Sequence, residues 1–217
     1  MKNRKLRMGM VGGGSDAFIG AIHRRAAFMD NQIELVCGCF SVDPEISKSS
    51  GLSYFLPEDR IYSTYQEMFE HEMTLPEGER MDFVTIVTPN RWHFEPAMMA
   101  LERGFHVVVD KPMTFSLEEA KQLQKKVEET GLVLAQGWLS ERIELLGGNN
   151  AGWRTDPKRS GKAGCIGDIG THAWHLSEYI TGLKVKELCA DLKAFVPGRP
   201  IDDDGAAFLR YENDVTG

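Results

Sequence analysis

The sequence predicts an α/β fold: an N-terminal Rossmann-type, doubly wound parallel sheet followed by a smaller α+β region. Three observations predict it. Apolar, β-branched runs alternate with helical stretches over residues 1–135. A glycine-rich turn follows the first of those runs at once. Beyond residue 136, two strand-like runs succeed one another with no helix between them. The first pattern is the βαβ rhythm of a parallel sheet covered on both faces, whose buried strands read as nearly continuous apolar runs. The domains are therefore placed at 1–135 and 136–217.

Residues 6–11 read as a strand ending on glycines. Residues 19–29 read as a helix in which His23, Arg24 and Arg25 interrupt the apolar positions. Residues 33–40 form the second strand and 65–73 a short helix. Residues 82–88 form the third strand, ended by Pro89-Asn90. The helix over 91–103 stops before Gly104, a natural C-cap glycine. Residues 105–109 are too short and too β-branched for a helix. Ser116-Leu-Glu-Glu119 is a capping box, and its helix runs to Thr130 before Gly131. Residues 132–135 close the first region. Later, 171–180 reads as a helix, and 186–196 and 206–211 read as strands.

Composition narrows the function. The 217 residues, 42% hydrophobic and 26% charged, are those of an ordinary globular chain. No run approaches the ~18 apolar residues of a membrane helix, and the basic N-terminus lacks a following apolar stretch long enough for a signal peptide. A net charge of −7 with no basic stripe argues against nucleic acid as a partner. Cys37, Cys39, Cys165 and Cys189 form no C-x-x-C pair. Cys37 and Cys39 share one strand face and read as small buried residues in a reducing, cytoplasmic setting.

Three segments carry chemistry. Gly12-x-Gly14-x-x-Ala17 fits the dinucleotide fingerprint, in which glycines allow a tight turn and close approach to a pyrophosphate. The following helix N-terminus, with Phe18 and Ile19, offers unpaired N–H groups to that anion. At the tip of the second strand, Ser41 leaves room for the 2′-phosphate of NADP and Lys48 neutralises it, whereas Asp43 suits the 2′-hydroxyl of NAD or simply starts a helix. NAD and NADP both stay open. Thr88, Pro89, Asn90 and His93 end one strand, and Asp110-Lys111-Pro112 ends another, where such folds place ligands. Lys111 reads either as a group that stabilises an alkoxide or as a surface lysine in a turn. In Gly167-Asp168-Ile-Gly-Thr-His172, the carboxylate and imidazole are four apart and share a helix face, as a general base and its partner require. Two other readings stand beside it. One is a metal site with His175, which no H-E-x-x-H or cysteine partner supports. The other is a set of satisfied polar residues at a domain interface.

Taken together, the 12–20 turn, Thr88-Pro-Asn-x-x-His93, Asp110-Lys111-Pro112 and Gly167-Asp168-Ile-Gly-Thr-His172 resemble the Gfo/Idh/MocA oxidoreductases over most of the chain. That resemblance implies a Rossmann domain paired with a C-terminal domain whose open, mostly antiparallel sheet mediates homo-oligomerisation, as a dimer or tetramer. It implies NAD or NADP as cofactor and a sugar, inositol or related polyol as the small-molecule substrate, oxidised or reduced at a secondary hydroxyl. By resemblance Lys111, Asp168 and His172 are catalytic. Gly12, Gly14, Ala17, Phe18, Ile19, Ser41, Lys48, Thr88, Pro89, Asn90, His93, Asp110 and Lys111 bind cofactor, and no metal is implied. Trp153, Arg154 and Asp156, with His172, resemble a segment lining the substrate pocket, although a structural salt bridge is an equal reading of Arg154. Some relatives are non-catalytic NAD(P) sensors, and the intact Lys111, Asp168 and His172 set argues against that alternative. Others hold NAD tightly for transient oxidation.

The chain departs from the family pattern in three places. Asp110 replaces the usual glutamate. His175 stands where many members have aspartate. After Ala135, tens of residues of the pattern are absent before Gln136, and the C-terminal sheet stops at Gly217 after two strands. These gaps predict a longer natural protein. Intact mass spectrometry checks it: a mass above 24.3 kDa is expected, and a purified species at 24.3 kDa would refute it.

Overall fold

In the computed structural model, residues 4–136 and 155–216 are described. They divide into two compact units, the first from residues 4–88 and 92–136, the second from 89–91 and 155–216. Strand β1 (Leu6–Gly12) leads through helix α1 (Phe18–Phe28) to β2 (Ile33–Cys39). Helices α2 (Pro44–Ser53) and α3 (Tyr65–Thr74) follow, then β3 (Phe83–Val87), α4 (Phe94–Glu102), β4 (His106–Val109), α5 (Leu117–Thr130) and β5 (Leu134–Gln136). The five strands pair in parallel in the order β2-β1-β3-β4-β5. The chain leaves β1 toward β2 on one side and returns to β3 on the other. That reversal opens a crevice at the carboxyl ends of β1 and β3.

Two apolar clusters hold the sheet. Val84 and Ile86 of β3 pack with Phe69, Leu101, Phe105 and Leu123, all buried. Met8 and Met10 of β1 pack with Phe40, Leu56 and Val87. Cys37 and Cys39 are buried, as small core residues, and burial pushes the Cys39 thiol up to about 11. Both are thus neutral thiols.

Local sequence explains several of the helix ends. Ser116 and Glu119 form the reciprocal capping box of α5, and Gly131 ends it in the left-handed region at φ 68°. Thr64 and Glu67 repeat the device on α3. Asp43 caps α2, accepting from the N–H groups of Glu45 (2.9 Å) and Ile46 (3.4 Å), with Pro44 at the first helical position. The helix expected over 91–103 begins only at Phe94, after a single tight turn at Asn90–Trp92.

In the second unit, a short helix α6 (Pro157–Ser160) precedes a π-helical turn, Ile166–Gly170, that runs directly into α7 (Thr171–Thr181). Strands β6 (Val185–Lys193) and β7 (Asp204–Tyr211) pair antiparallel. Among the described residues, no helix is long and apolar enough to cross a membrane.

Asp82, just before β3, ties the start of β1 in place. Its carboxylate accepts two bonds from the Arg4 guanidinium (2.6 and 2.7 Å) and one from the Arg7 N–H (2.7 Å). The Arg4 guanidinium, aided by Arg7, holds the Asp82 carboxyl below its usual 3.8. A carboxylate depressed in the folded state stabilises it above the unfolded pKa and loses that contribution as pH falls through the folded value. Urea midpoints measured from pH 7 to pH 2 should therefore fall less steeply below pH 4 in Asp82→Asn than in the parent. Parallel curves would show that Asp82 carries no such linkage.

Candidate functional site

The glycine turn joins β1 to α1, and each glycine is needed for its own reason. Gly12 and Gly13 sit at φ 81° and 74°, where L side chains are strained. A Cβ on Gly14 would lie 3.0 Å from the Phe40 carbonyl oxygen and 3.1 Å from both Asp16 Oδ1 and Ser50 Oγ. The close packing of helix on strand falls to Gly20, within the first turn of α1: a Cβ there would run into the Gly13 backbone. Ala17 is the residue preceding α1. The fingerprint is thus stretched by three residues, with Gly20 doing what the expected spacing assigned to Ala17.

The N-terminus of α1 has no side-chain cap and no acidic residue in its first turn. Its N–H groups therefore stay available to an anion. Phe18 is exposed and Ile19 half-buried there. Behind the turn, the Gly13 carbonyl accepts from Arg24 Nη1 (2.7 Å) and the Tyr54 hydroxyl (3.2 Å). The Arg24 guanidinium lies 3.7 Å over the Tyr54 ring. These residues fit a pyrophosphate: an open backbone cradle, a helix N-terminus and a braced turn.

At the tip of β2, the groups weighed for cofactor choice have protein partners. Asp43 caps α2, Lys48 pairs with Glu58 at 2.9 Å, and the Ser41 hydroxyl accepts from the Asp43 N–H at 3.2 Å.

The ends of β3 and β4 are clasped together by His93, which is fully buried. Its Nδ1 lies 2.8 Å from the Pro112 carbonyl and its Nε2 2.7 Å from the Thr88 carbonyl. Burial pulls the imidazole pKa below its usual 6.5, against the two carbonyls and Asp110, which raise it. Beside the clasp, Lys111 is 4% exposed, so it is not a surface lysine. Asp110 Oδ1 faces His23 Nε2 at 3.6 Å, and neither atom has a hydrogen bond. Burial works to raise the Asp110 pKa, but His23 and then Lys111 outweigh it and leave it below 3.8. Gly20, His23, Arg24 and Tyr54 were not singled out from sequence. The signal for His23 and Arg24 was their intrusion into the apolar positions of α1.

In the second unit, Asp168 stands on the π-helical turn and His172 in the first turn of α7, where the imidazole is buried. Single π-turns are frequent at functional sites. Asp202 anchors this segment: its carboxylate accepts from the N–H groups of Gly164 (2.6 Å) and Ile166 (2.8 Å) and from the Cys165 thiol (3.3 Å). His175 is exposed and stacks on Tyr179. Asp156 caps α6 through the Lys158 N–H (2.9 Å). Asn90, clustered with this unit beside Pro89, donates to the Ser160 carbonyl at 3.1 Å. Trp153 and Arg154 lie outside the described residues. Among the described residues, no group of three or more His, Cys, Asp or Glu side chains is disposed to hold a metal ion.

A doubly wound sheet, a glycine turn against an open helix N-terminus and strand-end polar residues define a dinucleotide-binding protein of the Rossmann class. Residues 6–138 match the oxidoreductase family GFO_IDH_MocA, NAD-binding Rossmann fold, and residues 132–217 match a GFO/IDH/MocA C-terminal domain. The chain belongs to the Gfo/Idh/MocA oxidoreductase family. It is 30% identical over 252 residues to the uncharacterized oxidoreductase YfiI of Bacillus subtilis, covering 99% of this chain and 64% of that protein. It is 29% identical over 135 residues to a D-glucoside 3-dehydrogenase of Escherichia coli, covering 62% of this chain and 35% of that one. The structure of an inositol dehydrogenase homolog of Azotobacter vinelandii, complexed with NADH and myo-inositol, superposes with a TM-score of 0.89 at 29% identity. It covers 99% of this chain and 63% of its own. The chain thus spans less than two thirds of the length of these relatives.

The His93 clasp yields a stability prediction. A neutral imidazole carries one N–H, and leucine carries none, so His93→Leu strips a buried carbonyl of its donor, at a cost of about 1–3 kcal/mol. Because the folded pKa lies below 6.5, the parent's His93 contribution is complete above pH 6.5 and falls away as pH drops below it. Urea melts should show His93→Leu weaker at pH 7.5, with the gap to the parent narrowing toward pH 5. A gap independent of pH would refute the linkage.

Proposed function

We propose that the protein catalyses NAD(P)-dependent hydride transfer at a secondary hydroxyl or ketone of a sugar, inositol or related polyol. The observation that carries this reading is the burial of Lys111 directly after β4, at the same carboxyl edge of the parallel sheet as the glycine turn that follows β1. An ammonium kept from water stabilises a developing alkoxide far more than one in bulk solvent. The myo-inositol bound by one relative and the D-glucoside 3-dehydrogenase name of another support the substrate class.

When bound, the nicotinamide supplies the hydride acceptor or donor. Gly12, Gly13, Gly14 and the N-terminus of α1 hold the pyrophosphate, and Thr88 and Asp110 flank the crevice. Lys111 donates a hydrogen bond to the substrate oxygen and stabilises its negative charge. His172 takes the hydroxyl proton in the oxidising direction and returns it in the reducing one. Asp168 orients the imidazole or the hydroxyl.

The test is steady-state turnover of the purified protein with NAD(P)⁺ over a panel of inositols, hexoses and glucosides. Lys111→Ala should lower kcat by roughly 10²–10³-fold and His172→Ala by about 10²–10⁴-fold. NADH affinity should stay within about threefold in both, because neither residue is assigned to the pyrophosphate or adenosine end. Unchanged turnover in Lys111→Ala would overturn the assignment.

A further inference from the structure

The three residues that stretch the glycine turn are folded against the tip of β2. The Gly14 N–H donates to the Phe40 carbonyl (3.1 Å), and the Ala17 N–H closes a tight turn on the Gly14 carbonyl (2.9 Å). The Ser15 N–H donates to the Ser50 hydroxyl (3.0 Å), which in turn reaches Ser15 Oγ at 3.3 Å. Asp16 rides on this pinned turn and is exposed. Its Oδ1, the Phe40 carbonyl oxygen and the Ser50 hydroxyl all lie within 3.1 Å of the one point that a Gly14 Cβ would occupy. Among the described residues, Asp16 has neither a hydrogen-bond partner nor an ion-pair partner.

In doubly wound folds the adenosine ribose lies at this strand tip, where an acidic group accepts from its 2′-hydroxyl, or a basic group accommodates a 2′-phosphate. Here the acid of the tip itself, Asp43, is committed to the α2 cap. The nearby bases are committed as well: Lys48 to Glu58, and Arg24 to the Gly13 carbonyl and the Tyr54 ring. Asp16 is left as the carboxylate without a structural task beside that oxygen-lined point.

We propose that Asp16, delivered by the inserted turn rather than by β2, selects NAD over NADP in this protein. Its carboxylate accepts a hydrogen bond from the ribose 2′-hydroxyl and repels a 2′-phosphate, while the nearby bases Lys48 and Arg24 are already engaged. The proposal rests on the glycine turn being the dinucleotide site, and on no assumption about the substrate.

Parallel fluorescence titrations with NADH and NADPH test it, on the parent, Asp16→Ser, Asp16→Asn and Asp43→Asn, each checked for folding by circular dichroism. The parent should bind NADH about tenfold tighter or more, from the charge repulsion alone. Removing the Asp16 charge should improve NADPH binding about tenfold and weaken NADH binding several-fold, collapsing the ratio. Asp43→Asn keeps the cap, since asparagine caps as well as aspartate, and should leave the ratio unchanged. Added salt should narrow the parent's preference and leave the Asp16 variants' ratio unmoved. A ratio unchanged in both Asp16 variants, or a parent that prefers NADPH, overturns the proposal while leaving the cofactor site intact. Failure of the folded, cofactor-free parent to bind either dinucleotide overturns the site itself.

Discussion

Gly20 lies in the first turn of α1 with its backbone against that of Gly13, closer than any side chain would allow. Much of the first unit's function depends on that approach. It brings the uncapped end of α1 beside the glycine turn, so that the N–H groups and the helix dipole face the crevice together. It also sets the position of the next turn of α1, whose His23 and Arg24 point back at the strand ends. Arg24 holds the Gly13 carbonyl, and His23 faces Asp110. An alanine at position 20 would push the helix away and move all of these groups at once.

Several polar groups around the crevice hold the scaffold. His93 joins the ends of β3 and β4 through two backbone carbonyls. Asp43, Lys48 and Ser41 are engaged nearer the surface, in a helix cap, an ion pair and a hydrogen bond. A buried group committed as His93 is would be expensive to reorganise, so a ligand meets a preformed frame at the strand ends. Lys111 and Asp110 are buried charges placed immediately after a strand, an arrangement that core packing alone would not select.

How much of this is legible in the sequence depends on the range of the interaction. The capping box at Ser116 and Glu119, the Gly131 stop and the apolar strands are local patterns, and they stand within a residue or two of the positions those patterns predict. The parallel sheet arises from the alternation of those patterns. The second helix escapes a reading by periodicity because its residues are small and polar, although Asp43-Pro44 marks its start. The roles of Ala17 and Gly20 differ from the fingerprint because a three-residue insertion is invisible to spacing alone. Lys48 finds Glu58 across a loop, and His23 finds Asp110 across the sheet; neither choice is written in the neighbourhood of the residue concerned.

The second unit solves a related problem by different means. Asp168 and His172 sit where a π-helical turn passes into α7, and a π-turn shifts the angular register of the helix beyond it. Such a turn is costly in isolation and persists only where neighbours hold it. Asp202 does so by accepting two N–H groups at its entrance, with the thiol of Cys165 as a third donor. Gly164 and Gly205 leave room for that contact: a Cβ on the first would run into the Asp202 carbonyl, and one on the second into Ile166. The turn that leads from Asp168 into the helix of His172 is therefore held at its entrance by an aspartate more than thirty residues away, with two glycines leaving room for the contact.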